Sequence, residues 1–276
     1  MSDPNSEWRG KTVLVTGASY GIGESFARRL AGDGARVIVT ARSRDRLDAM
    51  AEELRARHGA EVGVIEADLN RPSAPEEIFR ATEGGGRQVD LLINNAGFGA
   101  VGDFADIPLE RQIEMIQVNV TALVALSHLF LQPMLRRRAG AIIQVASTAS
   151  FQGVPYTSTY AATKAFILNF SEGLWAECRG HGVRVMALCP GPTATHFQAV
   201  AGTARLRDPA KMQTPDDVVE AGLAGLAQHR SVAISGFTNK LMVGAERLVS
   251  RNFVTRMAAK MYQPFSTGNG PAGSGQ

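Results

Sequence analysis

Short runs rich in β-branched residues alternate with longer stretches of helical periodicity along most of this 276-residue chain, and that alternation restricts the fold more than any other feature. Residues 11–16 read as a strand, a glycine turn follows, and 21–30 place apolar side chains at helical spacing. The pattern then repeats: strand 37–40, helix 43–58, strand 62–65, helix 75–82 behind a proline start, strand 89–93, and one long helix over 109–137. Strand 141–146, helix 158–179, strand 183–188, helix 215–229 and an edge strand at 231–234 complete it. Gly34, Gly59 and Gly182 each stand three residues before a valine and mark helix-to-strand turns. Short apolar strands joined by helical crossovers require a parallel sheet covered on both faces. The expected class is therefore α/β, with a doubly wound parallel sheet of about seven strands.

A single domain is expected over residues 10–263, after a polar extension at 1–9. Residues 191–212, rich in Pro, Thr, Ala and Gly between a strand and a helix, suit a mobile flap over a site. The extension at 236–263 mixes apolar residues with Lys240, Arg247, Arg251, Arg256 and Lys260. It can pack on the sheet, cover the active site, join subunits or touch a membrane surface. The tail at 264–276 is Gly, Ser and Pro rich and is expected to be disordered.

Composition excludes several functional classes. With 45% hydrophobic and 20% charged residues the chain reads as soluble and globular. Its net charge of +3 comes from dispersed basic residues, without the concentrated face that nucleic acid needs, and Arg136 to Arg138 suit a helix C-terminus. Cys178, Cys189 and the histidines at 58, 128, 181, 196 and 229 form no disulfide framework or metal motif. The polar, acidic N-terminus is no secretory signal. Glu114, Gln117, Asn119, His128, Gln132 and Pro133 interrupt the apolar stretch of the long helix, which argues for an amphipathic core helix and no integral membrane segment. A cytoplasmic protein is the expectation.

Tyr160 and Lys164 lie four apart and share a helix face. A phenol with an ordinary pKa of about 10 becomes a usable proton donor or acceptor beside a fixed positive charge. Ser147, thirteen residues earlier, leaves the end of a strand, where sites in open α/β sheets form, and its hydroxyl can hold a substrate oxygen. Such a pair taken alone is also common as surface or packing chemistry. Near the N-terminus, Thr16-Gly17-Ala18-Ser19-Tyr20-Gly21-Ile22-Gly23 opens a helix, where glycines let the backbone approach a pyrophosphate held by exposed amides. At the end of the second strand, where NAD-binding folds place an acid, stands Arg42, suited to a 2′-phosphate, with Asp45 close enough to oppose that reading. Asp68 either lies near an adenine or caps a turn, and Asn94-Asn95-Ala96-Gly97 either line a cofactor or lock strands. Asn119, among apolar neighbours, either holds the helix open around a water or bonds locally.

Taken in order, Thr16-Gly17-x-x-x-Gly21-Ile22-Gly23, Asp68, Asn94 to Gly97, Asn119, Ser147, Tyr160-x-x-x-Lys164 and Cys189-Pro190-Gly191-Pro192-x-x-Thr195 resemble the short-chain dehydrogenase/reductase family in its compact, Rossmann-like, single-domain branch. The resemblance spans roughly 10–234. It implies Tyr160 as acid/base, Lys164 lowering its pKa and holding the nicotinamide ribose, Ser147 orienting the substrate oxygen, and Asn119 supporting a proton-relaying water. Cofactor contacts implied are Gly17, Ser19, Tyr20, Gly21, Ile22, Gly23, Arg42, Asp68, Leu69, Asn95, Ala96, Gly97, Tyr160, Lys164, Pro190, Gly191, Thr193 and Thr195. NADP(H) is preferred and NAD(H) possible: Tyr20 stands where NADP-dependent members often carry a basic residue, so only Arg42, with Arg44 possible, supports NADP(H). Ala146 and Gln144 depart from the family's common serine and asparagine. A homo-oligomer, dimer or tetramer, is implied as well. Phe98, Ala149, Phe151, Pro155, Tyr156 and Phe197 suggest an apolar pocket for a small-molecule carbonyl or alcohol, with no fixed charge awaiting an anion. A catalytically silent dinucleotide-binding regulator or scaffold of the same fold is the alternative.

Overall fold

The computed structural model describes residues 7–195, 197, 212–246 and 248–262. The flap expected at 191–212 therefore lies partly, and the tail at 264–276 wholly, outside the described residues. Seven strands form one parallel sheet: β1 (Thr12–Thr16), β2 (Arg36–Ala41), β3 (Val62–Glu66), β4 (Leu91–Asn94), β5 (Gly140–Val145), β6 (Val183–Cys189) and β7 (Val232–Ile234). Their spatial order is β3-β2-β1-β4-β5-β6-β7, so the winding reverses between β1 and β4. Such a reversal opens a crevice at the carboxyl ends of the strands.

The strands read as unbroken apolar runs because both faces are covered, yet a period of two still sorts their side chains. Val13, Val15, Val37, Val39, Leu91, Ile93, Ala141 and Ile143 enter one core, with Phe26 and Leu30 of α1 (Gly21–Gly32) and Leu47 and Leu54 of α2 (Arg44–His58). Leu14, Ile38, Leu92 and Ile142 enter the other, with Ile78 of α3 (Ala74–Ala81). Trp8, within the segment read as a polar extension, is buried in the first core. The glycines at 34, 59 and 182 adopt φ of +85°, +62° and +76°, the left-handed conformation that ends a helix at little cost only without a Cβ.

The long helix read over 109–137 is not regular throughout. It consists of α4 (Leu109–Ile116), a π-turn over Gln117–Thr121 and α5 (Ala122–Arg137). By length and composition this stretch can cross a bilayer, but Leu126, Phe130 and Met134 pack into the second core, where Phe130 meets Phe79 edge-on at 5.3 Å. Truncating a buried phenylalanine such as Phe130 to alanine costs about 3–5 kcal/mol. The remaining described helices are α6 (Ser158–Cys178), α7 (Pro215–Ala227), α8 (Phe237–Glu246) and α9 (Arg251–Tyr262). The described part of the C-terminal extension is thus built of two helices. Thr214 and Asp217 cap α7 reciprocally, and Asp216 accepts a hydrogen bond from Ser25 of α1.

Candidate active site

The glycine turn joins β1 to α1 at the winding reversal. Thr16 closes β1 by accepting hydrogen bonds at Oγ1 from the amides of Asn95 and Ala96, both at 3.0 Å, while Asn95 Nδ2 donates to the carbonyls of Thr16 and Gly17 at 2.9 and 3.1 Å. The Asn94 to Gly97 segment therefore locks the ends of β1 and β4. That lock dictates two glycines: a Cβ on Gly17 would lie 2.8 Å from Ala96 Cα, and one on Gly23 would lie 2.4 Å from Asn95 Nδ2. Tyr20, at the N-cap of α1, makes no side-chain capping hydrogen bond, which leaves that helix end suited to an anion.

Arg42 is exposed directly after β2, and Asp45 is exposed as well. Arg44 pairs with Asp48 at 2.8 Å. The spacing of these residues gave no sign of Arg46, whose guanidinium lies 3.8 Å from the centre of the Tyr20 ring and donates to the Ser19 carbonyl at 3.2 Å. Asp68 accepts from the Asn70 amide at 3.0 Å, the turn-capping role, and Leu69 is buried beside it.

At the end of β5, Ser147 Oγ accepts from the Ala149 amide at 3.1 Å and caps the short 3₁₀ turn Thr148–Phe151. Ser150 returns the cap and donates to the Lys164 carbonyl at 2.8 Å, tying the turn to α6. Lys164 is 4% exposed, and its Nζ donates to the Val145 carbonyl at 2.7 Å while standing 5.7 Å from the centre of the Tyr160 ring. Desolvation pushes the Lys164 pKa from an ordinary 10.5 down to about 8, and burial drives the neighbouring Cys189 thiol up to about 12. A thiol with so high a pKa is neutral at pH 7 and gives the lysine no counter-charge.

Asn119 is fully buried in the π-turn and bonds across to the loop after β4. Its Nδ2 donates to the Phe98 carbonyl at 3.0 Å and to Thr163 Oγ1 at 3.1 Å, and its Oδ1 accepts from the Phe98 amide at 3.1 Å. Thr163 in turn donates to the Tyr160 carbonyl at 2.7 Å, so a short chain of hydrogen bonds joins α6, the π-turn and the loop. The extra residue of a π-turn reorients the side chains it carries, and such turns favour functional sites. Behind this layer, Gln144 takes the place where the family more often has asparagine. It accepts from Asn94 Nδ2 at 2.9 Å and donates to Ser127 at 2.7 Å.

The Tyr160 ring lies 5.3 Å from that of Phe197, tilted by 50°. Gly99 makes room for both, since a Cβ there would come within 2.9 Å of Phe197 Cζ and 3.3 Å of Tyr160 Cδ2. Tyr156 holds φ +63°, a strained backbone for a bulky side chain, while its carbonyl accepts from Gly102 at 2.9 Å. Arg111 of α4, paired with Glu114 at 3.4 Å, lies 3.9 Å from the centre of the Phe98 ring, a cation that the spacing of motifs gave no reason to place there.

After β6, the Pro190 carbonyl accepts from the Thr148 amide at 2.8 Å, so this loop is fastened to the Ser147 turn. Thr195 then reaches across to the glycine turn, where a Cβ on Gly21 would meet its methyl at 2.8 Å. Residues far apart in sequence, Gly17 to Gly23, Asn119, Ser147, Tyr160, Lys164 and Pro190 to Thr195, thus gather at the carboxyl edge of β1, β4, β5 and β6.

Comparison with known proteins agrees with this geometry. Residues 11–205 match the short chain dehydrogenase family. The chain is 32% identical to the 7beta-hydroxysteroid dehydrogenase of Collinsella aerofaciens over 84% of its own length and 88% of that protein. A solved structure concerned with 7beta-hydroxysteroid dehydrogenase stereoselectivity superposes with a TM-score of 0.83 at 28% identity, covering 92% of this chain and 98% of that one. A short-chain dehydrogenase from Sphingobium yanoikuyae, solved in complex with NADPH, superposes with a TM-score of 0.77 at 31% identity over 96% and 99% of the two chains. Matched family, doubly wound parallel sheet and glycine turn agree: the chain belongs to the short-chain dehydrogenase/reductase family of oxidoreductases.

Proposed function

We propose that this protein is an NADPH-dependent oxidoreductase that interconverts a carbonyl and an alcohol on a largely apolar small molecule. The observation that carries the reading is the gathering of Ser147, Tyr160 and buried Lys164 at one sheet edge, facing the glycine turn through Thr195. The start of α1 and the glycines at 17, 21 and 23 suit a pyrophosphate, while Arg42, exposed directly after β2, suits a ribose 2′-phosphate. A bound nicotinamide supplies or accepts the hydride. The chain's own residues manage the proton: Tyr160 gives it to the oxygen of a carbonyl or takes it from an alcohol, and the Lys164 charge stabilises the phenolate that remains. Ser147, whose oxygen accepts from Ala149, retains its own hydrogen to donate to the substrate oxygen. Phe197, Phe98 and Tyr156 favour an apolar substrate body, in keeping with the steroid named for the Collinsella relative.

A homo-oligomer is part of the proposal. Leu109, Ile113 and Ile116 of α4 are exposed at i, i+4 and i+7, beside α6, on which exposed Phe166 stacks against Phe170.

The test is a panel of ketones and alcohols read by nicotinamide absorbance with NADPH and NADH. Turnover is expected with NADPH in preference, and Tyr160→Phe should cut kcat at least about a hundredfold while cofactor affinity stays within about twofold. Arg42→Ala should narrow the preference for NADPH. Near-normal rates in Tyr160→Phe would remove it as the acid/base, and an unchanged preference in Arg42→Ala would remove that residue as the determinant.

A further inference from the structure

The described ends of the loop that follows β6 are held by contacts from outside the segment that matches the family. Its first part, Pro190 to Thr195, and its last described residues, Met212 and Gln213, run side by side: Thr193 and Gln213 form a parallel bridge, the Ala194 amide donates to the Gln213 carbonyl at 2.9 Å, and the Gln213 amide donates to Pro192 at 3.1 Å. The Gln213 side chain then turns toward the C-terminal extension. Its Oε1 accepts from Ser235 Oγ at 2.8 Å and from Asn239 Nδ2 at 3.2 Å, and Asn239 Nδ2 also donates to the Ser235 carbonyl at 2.8 Å. Ser235 is fully buried.

Two glycines record how tightly this assembly closes. Gly191 lies outside the left-handed region, so no turn geometry requires glycine there, yet a Cβ on it would fall 2.2 Å from Asn239 Nδ2 and 2.6 Å from its Cγ. At Gly236, with φ +78°, a Cβ would fall 2.4 Å from Gln213 Nε2. The first turn of α8 therefore seats one amide side chain against the backbone of Gly191 and hydrogen-bonds it to the return strand of the same loop.

From this geometry we infer that Asn239 is a positioning residue for the cofactor-side loop, acting through Gln213 and Gly191 to hold Thr195 over the glycine turn. The inference rests on the reading of a dinucleotide site given above. Asn239 touches the loop from behind, on an element that follows the last strand of the sheet, and its amide serves both ends of the loop at once. Without it, Gln213 keeps Ser235 but Gly191 faces a void, and the segment from Pro190 to Thr195 gains freedom that binding must then remove.

The test uses the full-length protein with NADPH as the probe. Fluorescence titration gives the dissociation constant, and thermal denaturation with and without NADPH gives the cofactor-induced rise in Tm. Asn239→Ala is expected to weaken NADPH binding about tenfold, the size of one or two hydrogen bonds, and to shrink the cofactor-induced rise in Tm. Gln213→Ala should behave alike, and the double variant should be little worse than either single one, because the two side chains act as a unit. Asn239→Ser, which keeps a hydrogen-bond donor, should recover part of the affinity and serves in place of the alanine variant if that one does not fold. Unchanged NADPH affinity, an equal loss of Tm with and without cofactor, or simple additivity in the double variant would each overturn the inference. If the wild-type chain binds neither NADPH nor NADH, the dinucleotide reading itself fails and takes this inference with it, an outcome plain before any variant is compared.

Discussion

Lys164 shows what one residue owes to sequence and what it owes to packing. Its spacing from Tyr160 is legible in the chain, because a helix places residues four apart on one face. Its burial and its bond to Val145 are not, because they depend on where β5 ends relative to α6. The consequence is a lysine whose pKa desolvation lowers to about 8 in the folded protein, against 10.5 ordinarily. Between those values the unfolded chain binds more protons than the native one, so the stability that Lys164 contributes rises with pH through that window and is least below about 8. Cys189 acts in the opposite sense above pH 9, staying protonated up to about 12 in the fold while the unfolded thiol ionises. Removing Lys164 takes away a charge that lowers the Cys189 pKa, so in both the wild type and Lys164→Met the folded thiol stays protonated at pH 10 and its effect largely cancels in their difference. Urea denaturation of the two proteins at pH 7 and pH 10 is therefore expected to show the wild type gaining on the variant by on the order of 2 kcal/mol at the higher pH. A constant difference would mean that the lysine is hydrated in solution.

At the scale of the element, the regular parts of the fold were readable and the irregular ones were not. Apolar periodicity located α1, α2, α6 and the strands to within a few residues, because those segments do what local sequence favours. The π-turn escaped, because Gln117 to Thr121 carries no residue that breaks a helix. What stabilises it is tertiary: Asn119 finds Phe98 and Thr163, three hydrogen bonds that a regular helix with the same residues would not present in the same direction. A bond confined to its own helix is not what Asn119 makes, since its described partners, Phe98 and Thr163, lie on other elements. Asn119→Ala leaves the partly buried Phe98 amide and carbonyl and the buried Thr163 hydroxyl without that partner, so it should lower the free energy of unfolding by about 1–3 kcal/mol. Equilibrium unfolding in urea with an unchanged m-value is the measurement, and full stability in the variant would mean that the turn forms without its asparagine. Arg46 and Asn239 were missed for a related reason: each belongs to the site through long-range contacts, Arg46 on Tyr20 and Ser19 and Asn239 on Gly191 and Gln213, that no spacing announces.

For the whole molecule, alternation of strand and helix was enough to give the sheet, and the shared carboxyl edge then follows from parallel winding alone. Surfaces are a different matter, because an exposed apolar side chain in sequence is indistinguishable from a buried one until the helix is oriented. Once oriented, α4 presents Leu109, Ile113 and Ile116 at 68%, 56% and 40% exposure in a single stripe, and α6 presents Phe166 at 41% beside it. The extension presents another set, with Phe237, Leu241, Phe253 and Met257 exposed on α8 and α9. Scattered apolar residues need no partner, but a stripe along one helix face, continued on the neighbouring helix, is what a self-complementary two-fold contact uses. The two surfaces make different predictions for multi-angle light scattering on a 29.4 kDa chain. If the stripe on α4 and α6 joins the copies, Ile113→Glu combined with Phe166→Glu should reduce the particle to the mass of one chain with its circular dichroism unchanged, while Phe253→Glu with Met257→Glu leaves the oligomer intact. The reverse result would move the subunit contact to the C-terminal helices, and a wild-type particle already at the mass of one chain would end the oligomer proposal for both faces.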